Sequence, residues 1–191
     1  MAVNAYRDKV KRRLGIYEDD GQFDSDIDDF TLESIKNLYP IIQRELPPEE
    51  YVLAMDGNQI PLLDPTLTGD IVNVRKLELK DDTTGAWQGY DEFTQHENIV
   101  SLYTSWVTGK TLRIEGNGRY TNGNVPSEYD QVIICWAMSE FYSLLVGDKR
   151  KYNIYSQTTG SRSVDNFRDL SDYYLDRGNQ ILADRATIRG V

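Results

Sequence analysis

The stretch VPSEYDQVIICWAMSEFYSLLVGD, residues 125–148, decides the fold of this chain of 191 residues. Its middle, residues 132–138, is apolar on every side of a helix, and a helix with no polar face belongs in a protein interior. Ser127, with Asp130 three places later, is a variant of the capping box and predicts where the helix begins. Gly147 predicts where it ends. We therefore expect a buried central helix against which the other elements pack.

Two more helices are predicted near the start of the chain. Tyr6, Val10 and Leu14 fall on one face of a short first helix. Apolar residues at alternating spacings of three and four extend a second helix to about Leu46, and Pro40 inside it predicts a kink.

The acidic run FDSDIDDF, residues 23–30, raises the question of a calcium site. Counted from its first acid, the positions that need Gly and Glu in a calcium-binding loop hold Asp29 and Ile35. The acids suit the positive end of a helix dipole, and Ser25 or Asp26 fits a cap. The run therefore predicts the start of the second helix.

From residue 51 to about residue 125 the periodicity becomes that of strands. YVLAM and IPLL, on either side of Asp56-Gly57, predict a hairpin. IVNVRKLELK predicts a longer strand, and SLYTSW and TLRIEG predict two strands joined at residues 108–110. Residues 90–98 predict a short helical turn. The segment is expected to form a small antiparallel β-module.

After the central helix, residues 149–163 are basic at the start, then rich in Ser, Thr and Gly, and their low periodicity predicts a loop. The last helix has an apolar stripe at Val164, Phe167, Leu170, Tyr174 and Ile181, and frays into the polar tail ADRATIRGV. The predicted fold class is therefore α+β: mainly a helical bundle of about four helices with an inserted small antiparallel β-module. Residues 1–48 and 126–191 form the expected bundle, and residues 49–125 form the module.

Composition limits the function. Hydrophobic residues make up 39% of the chain and charged residues 27%, which is typical of a globular protein. The net charge of −10 argues against a free-standing nucleic-acid binder, which carries a basic footprint. The N-terminal residues lack the apolar core of a signal peptide, and no apolar run approaches the roughly 20 residues that span a bilayer. We expect a protein made in the cytoplasm with no membrane contact.

Motifs for catalysis are weak. His96 is the single histidine, which makes a metal site improbable, and Cys135 is the single cysteine and lies in an apolar stretch. Gly109-Lys110-Thr111 resembles the end of a phosphate-binding loop, but a strand pattern follows it where a helix is needed. We expect no enzyme, no metal and no cofactor.

In outline the chain resembles the head–tail connector (adaptor) family of tailed bacteriophages, which docks beneath the portal. The likeness lies in the order of parts and in phrases such as IIQREL, VRKLELKD, GKTLRIEG, VPSEYDQVIICWAMSEFYSLL and NFRDLSDYYLDRGNQIL. It covers most of the chain and is a likeness of pattern.

The resemblance implies a structural virion protein in the neck, between capsid and tail. It implies a homo-oligomeric ring, usually of twelve subunits, that joins capsid to tail and continues the DNA channel. The expected partners are the portal protein, neighbouring copies, and a tail, stopper or nozzle protein, with genomic DNA passing without sequence-specific binding. The C-terminal residues 177–191 would be a docking arm toward the portal, with contacts at Arg177, Arg185, Ile188 and Arg189.

The basic clusters are either solvated surface or contacts with an acidic neighbour. Under the second interpretation, opposite charges on different faces of a subunit suit a head-to-tail ring. The candidate inter-subunit residues are Lys9, Arg12, Arg13, Lys149, Arg150, Lys151 and Arg162.

Two alternatives stay open. One is another tail-completion, neck or baseplate structural protein whose β-module binds a neighbour. The other is a binding module, or an enzyme, that holds a small ligand such as a sugar on Trp87, Tyr103 and Trp106. Large aromatic residues are more often core than ligand platforms.

Overall fold

The structure is a computed structural model, and it describes residues 3–17, 21–39, 41–54, 57–68, 70–103, 109–121, 123–160 and 166–188, with side chains as far as Arg185. Within these ranges the helices are α1 (Val3–Leu14), α2 (Asp24–Asn37), α3 (Asp130–Gly147), α4 (Lys149–Thr159) and α5 (Phe167–Ile188). The strands are β1 (Arg44–Glu45), β2 (Glu49–Val52), β3 (Gln59–Pro61), β4 (Ile71–Lys80), β5 (Trp87–Tyr90), β6 (Phe93–His96), β7 (Ile99–Leu102) and β8 (Thr111–Gly118).

The chain folds into two compact units: residues 1–38 with 120–191, and residues 39–119. The expectation of a mainly helical bundle of about four helices is wrong. The described residues contain five α-helices and eight strands in two antiparallel sheets, so the fold is α+β without such a bundle as its main part. The second unit begins before residue 49 because β1 pairs with β8.

The central helix α3 forms as predicted and is the core of the helical unit. Its residues 132–139 are all buried. Aromatic side chains of α3, α4 and α5 meet Phe23, the residue before α2, in a cluster of edge and stacked contacts: Phe23, Phe141, Tyr142, Tyr155, Phe167 and Tyr174. A 3-10 turn over residues 127–129 precedes α3, and no side-chain cap is formed by its flanking residues.

The first helix also forms as predicted, with Tyr6, Val10 and Leu14 buried. Gly15 closes it with φ +74°, a conformation that glycine adopts without the strain of a Cβ. The Tyr6 hydroxyl donates to Asp130 Oδ1 at 2.6 Å, which ties α1 to the start of α3.

The acidic run opens α2, as predicted, but Ser25 and Asp26 lie inside the helix, which begins after Phe23 without a side-chain cap. The predicted extension of α2 to Leu46 is wrong. The helix ends at Asn37, and residues 44 and 45 form β1 against Asn117 and Gly118 of β8 instead of continuing it. Pro40, with its predicted kink, lies outside the described residues.

The predicted loop over residues 149–163 is also wrong, since most of it is helix α4. Asp148 caps this helix by accepting from the backbone N of Arg150 at 2.8 Å and of Lys151 at 3.1 Å. Gly160, with φ +65°, ends it. The sequence carries both end signals of this short helix, Asp148 before it and Gly160 after it.

The second unit consists of two antiparallel sheets. In the larger sheet β8 lies between β4 and the pair β1 and β2, and β5 pairs with the far side of β4; the smaller sheet has the order β3-β7-β6. The inner faces of both sheets share one hydrophobic core of Leu53, Ile60, Leu62, Leu67, Ile71, Val74, Leu77, Leu79, Tyr90, Val100, Leu102, Leu112 and Ile114.

Strand existence was predicted better than strand pairing. The expected hairpin around Asp56-Gly57 is wrong, because β2 pairs with β8 while β3 pairs with β7 in the other sheet. The segments on either side of residues 108–110 likewise lie in different sheets. The expected helical turn at residues 90–98 is wrong, since this segment contains β6 and the end of β5.

Candidate interaction surfaces

Most basic side chains of α1 pair with acids of the same helical unit. Arg7 Nη1 lies 2.9 Å from Asp28 Oδ2, and Lys11 Nζ lies 2.8 Å from Asp24 Oδ1. The acidic run therefore neutralises a neighbouring helix in addition to meeting the dipole of α2. Burial raises the pKa of the Asp28 carboxyl, and the charge of Arg7 opposes that rise.

Three predicted inter-subunit residues have partners inside the helical unit. Lys9 Nζ lies 3.1 Å from Asp130 Oδ2, and Arg13 Nη2 donates to Gln131 Oε1 at 2.7 Å. Lys151 Nζ lies 2.5 Å from Asp26 Oδ2. These contacts join α1 to α3 and α4 to α2.

The side chains of Arg12, Lys149 and Arg150 are exposed, and Arg162 lies outside the described residues. Val146, one turn before α4, is 56% exposed. The corner between α3 and α4 thus presents an apolar side chain beside two cations. The exposure of Val146 was not predicted, because in the sequence this residue reads as part of the apolar pattern of α3.

Helix α5 is anchored along one face and exposed along the other. Phe167, Ser171, Gly178 and Leu182 are buried. Asp169, Asp172, Tyr173, Asp176, Arg177, Gln180 and Asp184 are exposed on the other sides of the helix, and Arg185, near its C-terminal end, is exposed as well. The predicted docking residues Arg177 and Arg185 are therefore exposed on one helix.

The expected polar tail is helical as far as Ile188, so the prediction that the chain frays after residue 182 is wrong. Gly178 and Leu182 are buried, which shows that the proposed docking segment 177–191 contributes to the core. The side chain of Ile188 and all of Arg189 lie outside the description.

The outer face of the five-stranded sheet is densely charged. Glu78 is buried there, with Lys76 Nζ at 2.6 Å from Oε1 and Arg113 Nε at 2.6 Å from Oε2. The hydrogen bonds from Lys76 and then Arg113 hold the pKa of the Glu78 carboxyl below its usual value. The negative charge of Glu78 is thus balanced by Lys76 and Arg113 of the same sheet.

The possible sugar platform is not assembled by the described residues. Trp87 is half-buried on the five-stranded sheet, with the Arg113 guanidinium 4.8 Å and the Lys80 ammonium 5.5 Å from its ring centroid. Tyr103 follows β7 of the other sheet, and Trp106 lies outside the described residues. The cations of Arg113 and Lys80 already lie near the Trp87 ring, so cation–π contacts within the sheet explain the position of this tryptophan without a bound sugar.

The outer face of the three-stranded sheet differs from that charged face. The registers place Pro61, Ile99 and His96 in one row and Gln59, Ser101 and Thr94 in the next, on the side away from the core. None of these six side chains is an acid, a lysine or an arginine. The pattern was visible in NQIPLL and NIVSLY, but only the correct strand pairing brings the two segments together.

A groove of about 310 Å³ lies at one end of the larger sheet, lined by Glu45, Leu46, Pro48, Arg75, Glu115 and Gly116. Arg75 Nη1 lies 2.8 Å from Glu45 Oε1 within it. Gly116 is required here, because a Cβ would stand 2.7 Å from the carbonyl oxygen of Asn73. Its polar lining is unlike the mostly apolar lining of small-molecule sites.

Cys135 and His96 are the remaining candidates for chemistry. Cys135 is buried in α3, and His96 is exposed on β6. Within the described ranges, no group of three or more His, Cys, Asp or Glu side chains could hold a metal ion. No helix in the same ranges is long and apolar enough to cross a membrane.

Comparison with known proteins gave no family assignment. No protein-family model matches the chain, and no curated protein matches it.

Proposed function

We propose that this chain is a structural virion protein of a tailed bacteriophage, a head–tail connector adaptor. In this proposal it forms a homo-oligomeric ring beneath the portal, joins the capsid to the tail and continues the channel through which the genome passes. It works in the neck of the virion without a cofactor or sequence-specific DNA binding.

The observation that carries the proposal is the two-sided character of α5. Phe167 and Leu182, near opposite ends of the helix, are both buried, so the helix is fixed along much of its length. Tyr173, Arg177 and Arg185 are exposed. A fixed helix that displays an aromatic side chain and charges is suited to docking, because little conformational entropy is lost on binding.

The net charge supports the same proposal. An acidic subunit repels the phosphate backbone, so a channel built from such subunits would not retain passing DNA. The pairing of the α1 cations with acids of the same unit reduces the number of basic groups available to DNA.

A tail-completion or baseplate protein remains the alternative, and dependence on the portal separates the two. The test is co-sedimentation of the purified protein with portal rings from the same source. We expect binding by the wild type and a loss of at least tenfold in affinity for Arg177→Glu/Arg185→Glu.

Arg168→Glu is the matched control, because Arg168 is also exposed on α5 but lies at its opposite end. Equal binding by all three proteins would contradict docking through the C-terminal part of α5. Absence of wild-type binding to the portal would favour the alternative.

A further inference from the structure

We propose that the outer face of the three-stranded sheet docks onto the corner between α3 and α4 of a second copy of this chain. The inference rests on the proposed ring function and names the contact between neighbouring copies. The sheet face is defined by Gln59, Pro61, Thr94, His96, Ile99 and Ser101, and the corner by Val146, Lys149 and Arg150.

The sheet face has the composition of an interface centre. Charged residues are depleted at the centre of protein interfaces, and this face carries no acid, lysine or arginine although such residues make up 27% of the chain. Ile99 is 43% exposed within it. Leu63 and Tyr103, which follow β3 and β7, are 65% and 67% exposed.

The margin of this face is acidic. Asp91 and Glu92 join β5 to β6, Glu97 lies in the turn between β6 and β7, and all three are exposed. The backbone N of Tyr103 donates to the carbonyl oxygen of Glu92 at 3.0 Å, which places this acidic segment beside the exposed tyrosine. The complementary partner surface therefore has an apolar centre and basic flanks.

The corner between α3 and α4 meets that description. Val146 is 56% exposed on the last turn of α3, and Lys149 and Arg150 are exposed on the first turn of α4. The Asp148 carboxylate accepts from the backbone N of Arg150, which holds the corner in shape. Lys151, by contrast, is held by Asp26 and faces the subunit's own α2.

The two surfaces differ from each other, so the contact joins unlike patches of two copies. When such a contact is repeated from copy to copy, the copies form a closed ring if the rotation between neighbours adds up to a full turn. The acidic margin and the basic corner also oppose a contact of either patch with its own copy, because like charges would then face each other.

The test is site-specific cross-linking with a short bismaleimide, on the purified protein and on particles that contain it. Cys135 is 1% exposed and does not compete for the reagent. A mixture of Ile99→Cys and Val146→Cys single variants should give a cross-linked dimer and nothing larger. The double variant should give a ladder of higher oligomers, and each single variant alone should give only monomer.

Val52→Cys is the control for the sheet face. Val52 is 65% exposed but lies on the outer face of the other sheet, and its mixture with Val146→Cys should not cross-link. Charge reversal at Lys149 and Arg150 to Glu should abolish the Ile99–Val146 cross-link. Reversal of Glu92 and Glu97 to Lys in the partner should restore it.

Absence of the mixed dimer from both the solution and the particles would overturn the inference. Self-linking of Ile99→Cys, or its linking only to a different protein in particles, would do the same. The experiment distinguishes failure of this contact from failure of the adaptor role. A cross-linking protein that is absent from particles would refute the adaptor role alone, and a particle-bound protein without the cross-link would refute this contact alone.

Discussion

The indole of Trp136 lies against Gly178, across the contact between α3 and α5. A Cβ on that glycine would stand 2.6 Å from Cδ1 and 2.7 Å from Nε1 of the ring. The same indole donates from Nε1 to Asn179 Oδ1 at 3.1 Å. The missing side chain at position 178 is therefore what allows the buried tryptophan to pack beside α5.

Gly178→Ala should destabilise the protein by about 1–3 kcal/mol, because the added methyl overpacks a filled site. Helix propensity alone predicts the opposite, a gain of about 1 kcal/mol. Chemical denaturation of the two proteins measures the difference. Gly147→Ala is the matched control: it is also helical, has no atom within 4 Å of the built Cβ, and should be neutral or slightly stabilising. A stabilised Gly178→Ala protein would contradict the packing described for Trp136.

Trp136→Ala should cost about 3–5 kcal/mol, since it removes a large buried side chain and leaves Asn179 without its indole donor. The midpoint of urea unfolding reports the loss. A change below about 1 kcal/mol would show that α3 is not the centre of the helical unit.

Tyr6→Phe should destabilise the helical unit by about 1–3 kcal/mol, because the Asp130 carboxylate loses a hydrogen-bond donor at 2.6 Å. Lys9 still lies 3.1 Å from the other carboxylate oxygen, so the variant should fold. A double-mutant cycle with Asp130→Ala isolates the pair, because alanine offers the Tyr6 hydroxyl no acceptor. Additive effects of the two substitutions would show that the contact contributes no coupling energy.

Glu78→Gln should destabilise the protein by roughly 1–3 kcal/mol near neutral pH, where the carboxylate accepts from Lys76 and Arg113. Because the folded-state pKa of Glu78 is below the ordinary glutamate value of 4.5, the stability contributed by its carboxylate is present above that value and is lost as the pH falls through the folded-state pKa. The stability gap between wild type and variant should therefore narrow below pH 4.5.

Denaturation curves measured from neutral to acid pH test that narrowing. Glu115→Gln is the control on the same sheet face, because its carboxylate lies 3.9 Å from Lys76 and is more exposed. If the difference in unfolding free energy between the wild type and Glu78→Gln stays constant with pH, the ionised carboxylate of Glu78 does not stabilise the fold.

The sequence predicted local features well where one signal determines the structure. The apolar run at residues 132–138 could only be buried, and the acidic run at residues 23–30 could only suit a helix start or a metal loop. In both places the structure follows the local chemistry. The α4 helix was not predicted although Asp148 and Gly160 mark its ends, because its apolar face is narrow and Tyr155 is its single buried residue.

Pairing between distant segments could not be predicted in the same way. Residues 44–45 pair with residues 117–118, and nothing within the IIQREL phrase shows that a partner strand lies so far along the chain. The uncharged face around Ile99 depends on the same kind of pairing, since Pro61 and His96 reach it from different strands. The exposed corner at Val146 depends on where α3 ends and α4 begins.

Removal of residues 186–191 should leave the fold intact, because the last buried side chain described on α5 is Leu182. The circular dichroism spectrum and the unfolding midpoint should match those of the full chain. Removal of residues 177–191 should instead destabilise it, since Gly178 and Leu182 are lost from the core. Equal stability of both truncated proteins would contradict the packing of α5.

The most direct test of the adaptor proposal is quantitative mass spectrometry of purified phage particles from the source of this chain, with the portal protein as the internal reference. The proposal predicts that the protein is a particle component present at about one copy per portal subunit, as a ring matched to the portal requires. Absence from the particles, or a copy number unrelated to that of the portal, would contradict it.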